Sequence, residues 1–305
     1  MRASLRVFVA LSAAAAALAC AQGRAGVRQS SQAATQAAAQ PAQQDATSAT
    51  PKPTPTPTPS YAPPFPSQKR GGEAFEPVLR MSGGRAFESR SLALRPARKD
   101  LELSADYPVL VGDERPAARK FNRLMRDFAA EEMRPLLRDR SDPDDKKDRF
   151  EGVPMERQVS HTIVYASDEL VSVLFYVTGY TTPAAHGYHY PITFNFDMNA
   201  GRALELKDLF NPGSRHLERI AGLCDEDLNR QFREGQLFAF ASGREPAAKN
   251  YSAWVVTPGG LVFVFEEYQA VAYAGGEPKV LVPFDRLADI LRPGGALAAL
   301  AARPE

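Results

Sequence analysis

The segment at 170–177, LVSVLFYV, constrains the fold more than any other. It is too short to span a membrane and is rich in β-branched and aromatic residues, so it reads as a buried strand. A loop of small residues follows at 179–187. Tyr190, Ile192, Phe194 and Phe196 then alternate with Pro191, Thr193, Asn195 and Asp197. That period of two marks a strand with one buried face. Asn199-Ala200-Gly201 supplies a turn. The chain therefore centres on a sheet with a loop crossing its end.

Upstream, 86–95 and 101–110 read as strands. Asp113 stands as a helix N-cap with Pro116 in the first turn. Ala117, Phe121, Leu124, Met125 and Phe128 fall at helical spacing and predict a helix to about Met133, where Pro135 disturbs it. The basic residues of that helix (Arg115, Arg119, Lys120, Arg123, Arg126) read as a solvated face. Residues 158–166 and 169–179 form a hairpin across Ser167-Asp168. Downstream, Ser214 caps a second helix whose buried face is Leu217, Ile220, Ala221, Cys224, Leu228 and Phe232. Strands at 252–257 and 261–266 join through Pro258-Gly259-Gly260. An irregular aromatic loop at 268–276, a strand at 278–282 and a short helix at 284–291 complete the series, and 293–305 reads as a loosely held tail. Strand pairs alternating with isolated helices predict an α+β fold: largely antiparallel sheet or sheets, two main packed helices and a short C-terminal helix.

At the N-terminus, Arg2 and Arg6 precede an apolar run at 7–19, the layout of a secretory signal peptide. Ala17-Leu18-Ala19-Cys20 resembles the lipobox of bacterial lipoproteins, which makes Cys20 the lipidation site and the membrane a partner through that anchor. The same residues fit ordinary signal peptidase and a freely secreted form. Residues 21–72 collapse into Ala, Gln, Ser and Thr and then into Thr-Pro repeats, which predicts a disordered linker with a stiffer polyproline section. The chain is thus expected outside the cytoplasm. Cys20 and Cys224 are its two cysteines, so no disulfide framework supports the fold. Cys224 reads as a small buried residue, because Asp225, Glu226 and Asp227 oppose a thiolate there. The formal charge of +1 becomes −1 when Arg2 and Arg6 leave with the signal, which, with the compartment, argues against nucleic acid.

Chemistry-bearing residues are sparse. His186 and His189 lie three apart before a strand, and a zinc site needs a third convergent donor, which His161 or His216 supplies only if the fold brings it near. The simpler expectation has His186 bonded within its loop and His189 exposed. Asp197, Glu205, Asp208, Glu266 and Glu267 stand at strand ends, where a glycosidase pair can lie. Tyr180, Tyr188, Tyr190, Tyr268 and Tyr273 form a loop-borne aromatic set suited to glycan or protein recognition. Neither a Gly-x-Ser-x-Gly elbow nor a phosphate loop is present, and no cofactor or metal is expected.

Several ordered blocks make the chain familiar. Ala185-His186 after the Tyr-Thr loop, Asn195-Phe196-Asp197, Leu206-Lys207-Asp208-Leu209-Phe210, and FVFEEYQAVAYAGGEPKVLVPFDRL at 263–287 resemble the DUF3298 family. Residues 86–181 resemble the DUF4163, or PdaC-type, domain that commonly precedes it. Thr182-Pro183-Ala184 and Val271-Ala272 depart from the family's usual loops. Members include the extracytoplasmic half of a lysozyme-binding anti-sigma factor and the non-catalytic module of a peptidoglycan deacetylase. The anti-sigma role needs a cytoplasmic segment and a membrane span, and the deacetylase chemistry resides in a separate domain. The resemblance therefore implies an envelope-facing binding or sensing module without its own catalysis. Its expected partner is a lysozyme-like protein or a peptidoglycan fragment, held by Tyr180, His186, Tyr188, Tyr268 and Tyr273. The alternative is a peptidoglycan-directed hydrolase using strand-end carboxylates or a histidine metal site. The expected parts are a signal peptide (1–20), a linker (21–72), a DUF4163-like part (73–181), a DUF3298-like part (182–292) and the tail.

Overall fold

The computed structural model describes residues 78–96, 99–137, 153–232 and 240–301, all within one compact unit, 60–305. The signal peptide, Cys20 and the linker lie outside the described residues. The α+β class holds. A seven-stranded sheet runs in the order β2 (Ala86–Ser91), β3 (Leu101–Val111), β4 (Met155–Ser167), β5 (Leu170–Thr181), β6 (Tyr188–Asp197), β7 (Arg202–Ala203), with β1 (Val78–Arg80) also on β4. A three-stranded sheet has the order β10 (Lys279–Pro283), β9 (Gly260–Val264), β8 (Trp254–Thr257). The helices are α1 (Pro116–Leu137), α2 (His216–Phe232) and the single turn α3 (Ala298–Ala301). All pairings are antiparallel except β1 and β3 on β4.

Side-chain parity sorts these elements into layers. Along β5, Val171, Val173, Phe175 and Val177 pack with Phe121, Met125 and Phe128 of α1. On the opposite face, Leu174 and Tyr176 meet Val255 of β8 and Val262 of β9. Trp254, Val256, Leu261 and Phe263 turn the other way, onto Ile220, Cys224 and Leu228 of α2. The order is helix, sheet, sheet, helix, and it explains why β5 is buried from Leu170 to Val177.

The second sheet also changes the reading of β6. Its polar positions were expected to face solvent, yet Asn195 is 2% exposed. The Asn195 side-chain amide donates to the Trp254 carbonyl at 2.8 Å, the Trp254 N–H donates to Thr193 Oγ1 at 3.0 Å, and the Val256 N–H donates to Ser172 Oγ at 3.0 Å. Ser172 in turn donates to Asn195 Oδ1 at 2.6 Å. These side chains satisfy the outer edge of β8, where it has no strand partner. Asn122 of α1 does the same for β3, accepting from the Leu110 N–H and donating to its carbonyl at 2.7 and 2.9 Å. The bend in β3 makes this necessary: its first five residues pair with β4, and 106–111 pair with β2.

Five local expectations are corrected. Asp113 stands three residues before the helix and accepts from the Arg115 N–H and guanidinium, an Asx turn rather than a cap. Helix α1 runs through Pro135, close to its end, while Arg157 Nη1 takes the Glu132 carbonyl at 3.0 Å. The Ser214 hydroxyl is buried without a hydrogen bond and so does not cap α2. Residues 284–291 form only a 3₁₀ turn, Phe284–Arg286, and the expected loose tail instead buries Leu297 and Leu300 against the α2 side of the small sheet. At the β4–β5 turn, Ser82, Arg85 and Arg115 converge on Asp168, beside β1. Hydrogen bonds from Ser82, and then the Arg85 guanidinium, hold the Asp168 carboxyl at about 2.

Candidate functional site

The site forms at the other end of β5, where β6 begins and the 265–278 loop between β9 and β10 rises beside it. Parity separates its side chains. Tyr188 and Tyr190 point to the α1 face, and His189 points to the small sheet. On the α1 face, the Tyr188 hydroxyl accepts from Arg157 Nη2 at 2.8 Å, and Tyr190 donates to Glu132 Oε2 at 2.8 Å. Gly179 lies between Tyr188 and Arg157 in the register. A Cβ there would collide with the tyrosine hydroxyl, so the glycine lets the ring lie across the strand.

On the other face, His189 is clasped by two carboxylates. Its Nδ1 lies 3.3 Å from Glu267 Oε1 and its Nε2 lies 3.4 Å from Glu277 Oε1. The two glutamates stand near opposite ends of the 265–278 loop, and the imidazole lies between them against the large sheet. Burial pushes the Glu277 carboxyl up to about 7 against the pull of Lys279, and it raises Glu266 and Glu267 as well. Burial, followed by Lys279, lowers His189, so the neutral imidazole is the favoured form. The Tyr176 hydroxyl also reaches Glu277.

Above this clasp stands a column of rings. His186 stacks on Tyr273 with centroids 4.7 Å apart, and Tyr273 stacks on Tyr268 at 5.6 Å. Tyr268 is 55% exposed and Tyr273 41%. Tyr273 is the middle ring, which leaves the outer face of Tyr268 open. Tyr268 has φ 61°, the left-handed region that a bulky residue rarely adopts. The turn around it closes through Gln269 N–H to the Glu266 carbonyl at 3.0 Å. Gln269 then anchors it by donating to the carbonyls of Gly243 and Asn250 at 3.1 and 2.8 Å.

Of the residues selected from sequence, the fold joins His186, Tyr268 and Tyr273. Tyr188 is directed to the α1 face, and Tyr180 donates to the Ala184 carbonyl at 3.0 Å within its own loop. His186 Nδ1 lies 2.7 Å from the Gly187 carbonyl, the expected loop bond. His189 was expected to be exposed, but its side chain is only 27% exposed. Glu267 joins the site with Glu266. Asp197, Glu205 and Asp208 do not, since Asp197 accepts from Asn199 and Ala200 N–H in the turn, while Asp208 and Glu205 pair with Arg202 and Lys207. His161 packs by Phe175 and His216 stacks on Phe210, both away from His189. Among the described residues no group of three or more His, Cys, Asp or Glu is placed to hold a metal ion. Cys224 is buried, and burial raises its thiol pKa. Sequence reasoning missed Glu277 and the inward turn of His189. Parity carried the only signal: His189 shares a face with Tyr176 if Tyr190 shares one with Val177.

Chemically, this end of the molecule offers an exposed ring face beside carboxyl groups, with an imidazole set between two of them. Among the described residues no helix is long and apolar enough to cross a membrane. The chain is 23% identical over 200 residues, 64% of its length, to the peptidoglycan-N-acetylmuramic acid deacetylase PdaC of Bacillus subtilis (strain 168), and the match spans 40% of that protein. A crystal structure of a DUF3298 family member from Bacteroides fragilis shares the fold, with a TM-score of 0.51 at 14% identity over 72% of this chain and 98% of that one. A second DUF3298 protein, from Pseudomonas aeruginosa PAO1, gives 0.43 at 16% identity, with 68% and 93% covered. Residues 207–285, which span α2, the small sheet and the loop with Tyr268, Tyr273, Glu267 and Glu277, match the family described as protein of unknown function, DUF3298.

Proposed function

We propose that this chain is a cell-envelope binding module that holds a peptidoglycan-derived glycan against the His186–Tyr273–Tyr268 column and does not turn it over. The observation that carries the reading is the column itself, an exposed aromatic surface built from loops of two sheets. Flat rings with polar tips suit the apolar faces and hydroxyls of sugars. The relative's name, a peptidoglycan deacetylase, supports the ligand class. The test is a titration of the full chain with peptidoglycan fragments, beside immobilised lysozyme, at physiological salt. Saturable glycan binding that falls about tenfold in Tyr268→Ala is expected. Lysozyme binding alone would replace the glycan with a protein ligand, and binding to neither would end the proposal. The same reading places the chain outside the cytoplasm, anchored by a lipid on Cys20. Labelling with a palmitate analogue, lost in Cys20→Ser, tests the anchor.

One observation favours a hydrolase as second reading: a buried carboxyl titrating at about 7, Glu277, has the poise of a general acid. Against it, the His189 imidazole lies between Glu267 and Glu277 and is largely covered. Release of reducing ends from peptidoglycan, abolished in Glu277→Gln, would establish turnover.

A further inference from the structure

The acid cluster beneath the column is unbalanced. Glu266 and Glu267 both act electrostatically on Glu277, Lys279 is the ammonium that couples to Glu277, and His186 couples to Glu267. His189 sits between two of the three as an imidazole and contributes no full charge in its neutral form. Glu277 is 8% exposed, and its Oε1 accepts no hydrogen bond; the His189 contact at 3.4 Å falls outside hydrogen-bond geometry. A buried carboxylate oxygen in that position is costly until a charged donor reaches it. Glu267 ties the cluster to the column, because it precedes Tyr268 in the chain and is coupled to His186. A ligand lying on the open face of Tyr268 is therefore one residue along the chain from Glu267, in a set of carboxyls that burial holds back from ionising and that a cation would draw into their charged form. Aromatic faces and carboxylates favour the same guest, a cation.

We infer that the site takes a sugar bearing a free, protonated primary amine, its ring against Tyr268 and its ammonium among Glu266, Glu267 and Glu277. The inference deepens the glycan reading above and rests on it. An N-acetylated sugar retains the ring contact but brings a neutral amide, which cannot balance the carboxylates. The preference is thus for de-N-acetylated glycan, a distinction that the column alone does not make.

The experiment uses one ligand in two chemical states, so that the protein stays unchanged. A glucosamine oligomer and the same oligomer after complete N-acetylation are titrated into the full chain by calorimetry. At least tenfold tighter binding of the free-amine form is expected. That advantage should disappear in Glu267→Gln and in Glu277→Gln and persist in Glu226→Gln, a change on the exposed face of α2. Equal or tighter binding of the acetylated form overturns the ammonium inference while the column reading stands. Binding of neither form overturns both. A free-amine preference that survives both cluster substitutions, or is lost equally in Glu226→Gln, shows general attraction of a polycation and also overturns the assignment.

Discussion

At Tyr268 the backbone and the side chain pull in opposite directions. A positive φ at a bulky residue costs about 1–2 kcal/mol, and here it aims the more exposed of the two tyrosine rings outward. Tyr268→Ala and Tyr268→Gly both delete the ring, so the difference between them reports the backbone alone. The glycine variant should be more stable by about 1 kcal/mol in denaturant unfolding, with both equally weakened for ligand. Glu277 makes a pH prediction. Below about pH 4.5 the carboxyl is protonated folded or unfolded, and above about 7 it is ionised in both. Between those limits the unfolded chain releases a proton that the folded protein keeps, so this group makes stability fall as pH rises, by up to roughly 3 kcal/mol. His189, lowered on folding, acts in the opposite sense as pH falls through its usual range. Glu277→Gln should therefore match the parent near pH 4.5 and exceed it in melting temperature near pH 8. At this scale the sequence was partly legible. Tyr268 and Tyr273 announce themselves in an aromatic loop, but Glu277 and His189 stand 88 positions apart with no shared local pattern, so only tertiary structure pairs them.

Two strands end their hydrogen-bond ladders on side chains. Thr193, Asn195 and Ser172 close the edge of β8, and Asn122 closes part of β3. Asn195→Ala should leave the Ser172 O–H without its acceptor and the Trp254 carbonyl without its donor in the interior and cost about 2–3 kcal/mol. Faster hydrogen exchange at Val256 should accompany the loss, whereas an unchanged rate would mean that water replaces the amide. Here the alternation of β6 misled for a clear reason. Polar residues on one face ordinarily meet solvent, and a period of two does not reveal that another sheet has supplied an edge for them to satisfy. The strands themselves were readable because each carries its own periodicity. The stacking of two sheets was not, since it rests on contacts such as Leu174 with Val255 that no local window contains.

For the molecule as a whole, the α+β class followed from strand pairs and two amphipathic helices, while the C-terminal packing escaped notice. The composition at 293–301, small and apolar with two glycines, resembles a tail, yet Leu297 is 3% and Leu300 7% exposed. Leu300→Ala should cost about 2–3 kcal/mol, measured as a lower denaturant midpoint; a surface tail would show no change. The large sheet also has two structurally distinct poles. The chain enters at β1, beside the Asp168 turn, while the ring column stands past Gly179, about 30 Å away at some 3.3 Å per residue along β5. Any attachment made through the chain before Val78 therefore joins this domain at the end of the sheet opposite the column.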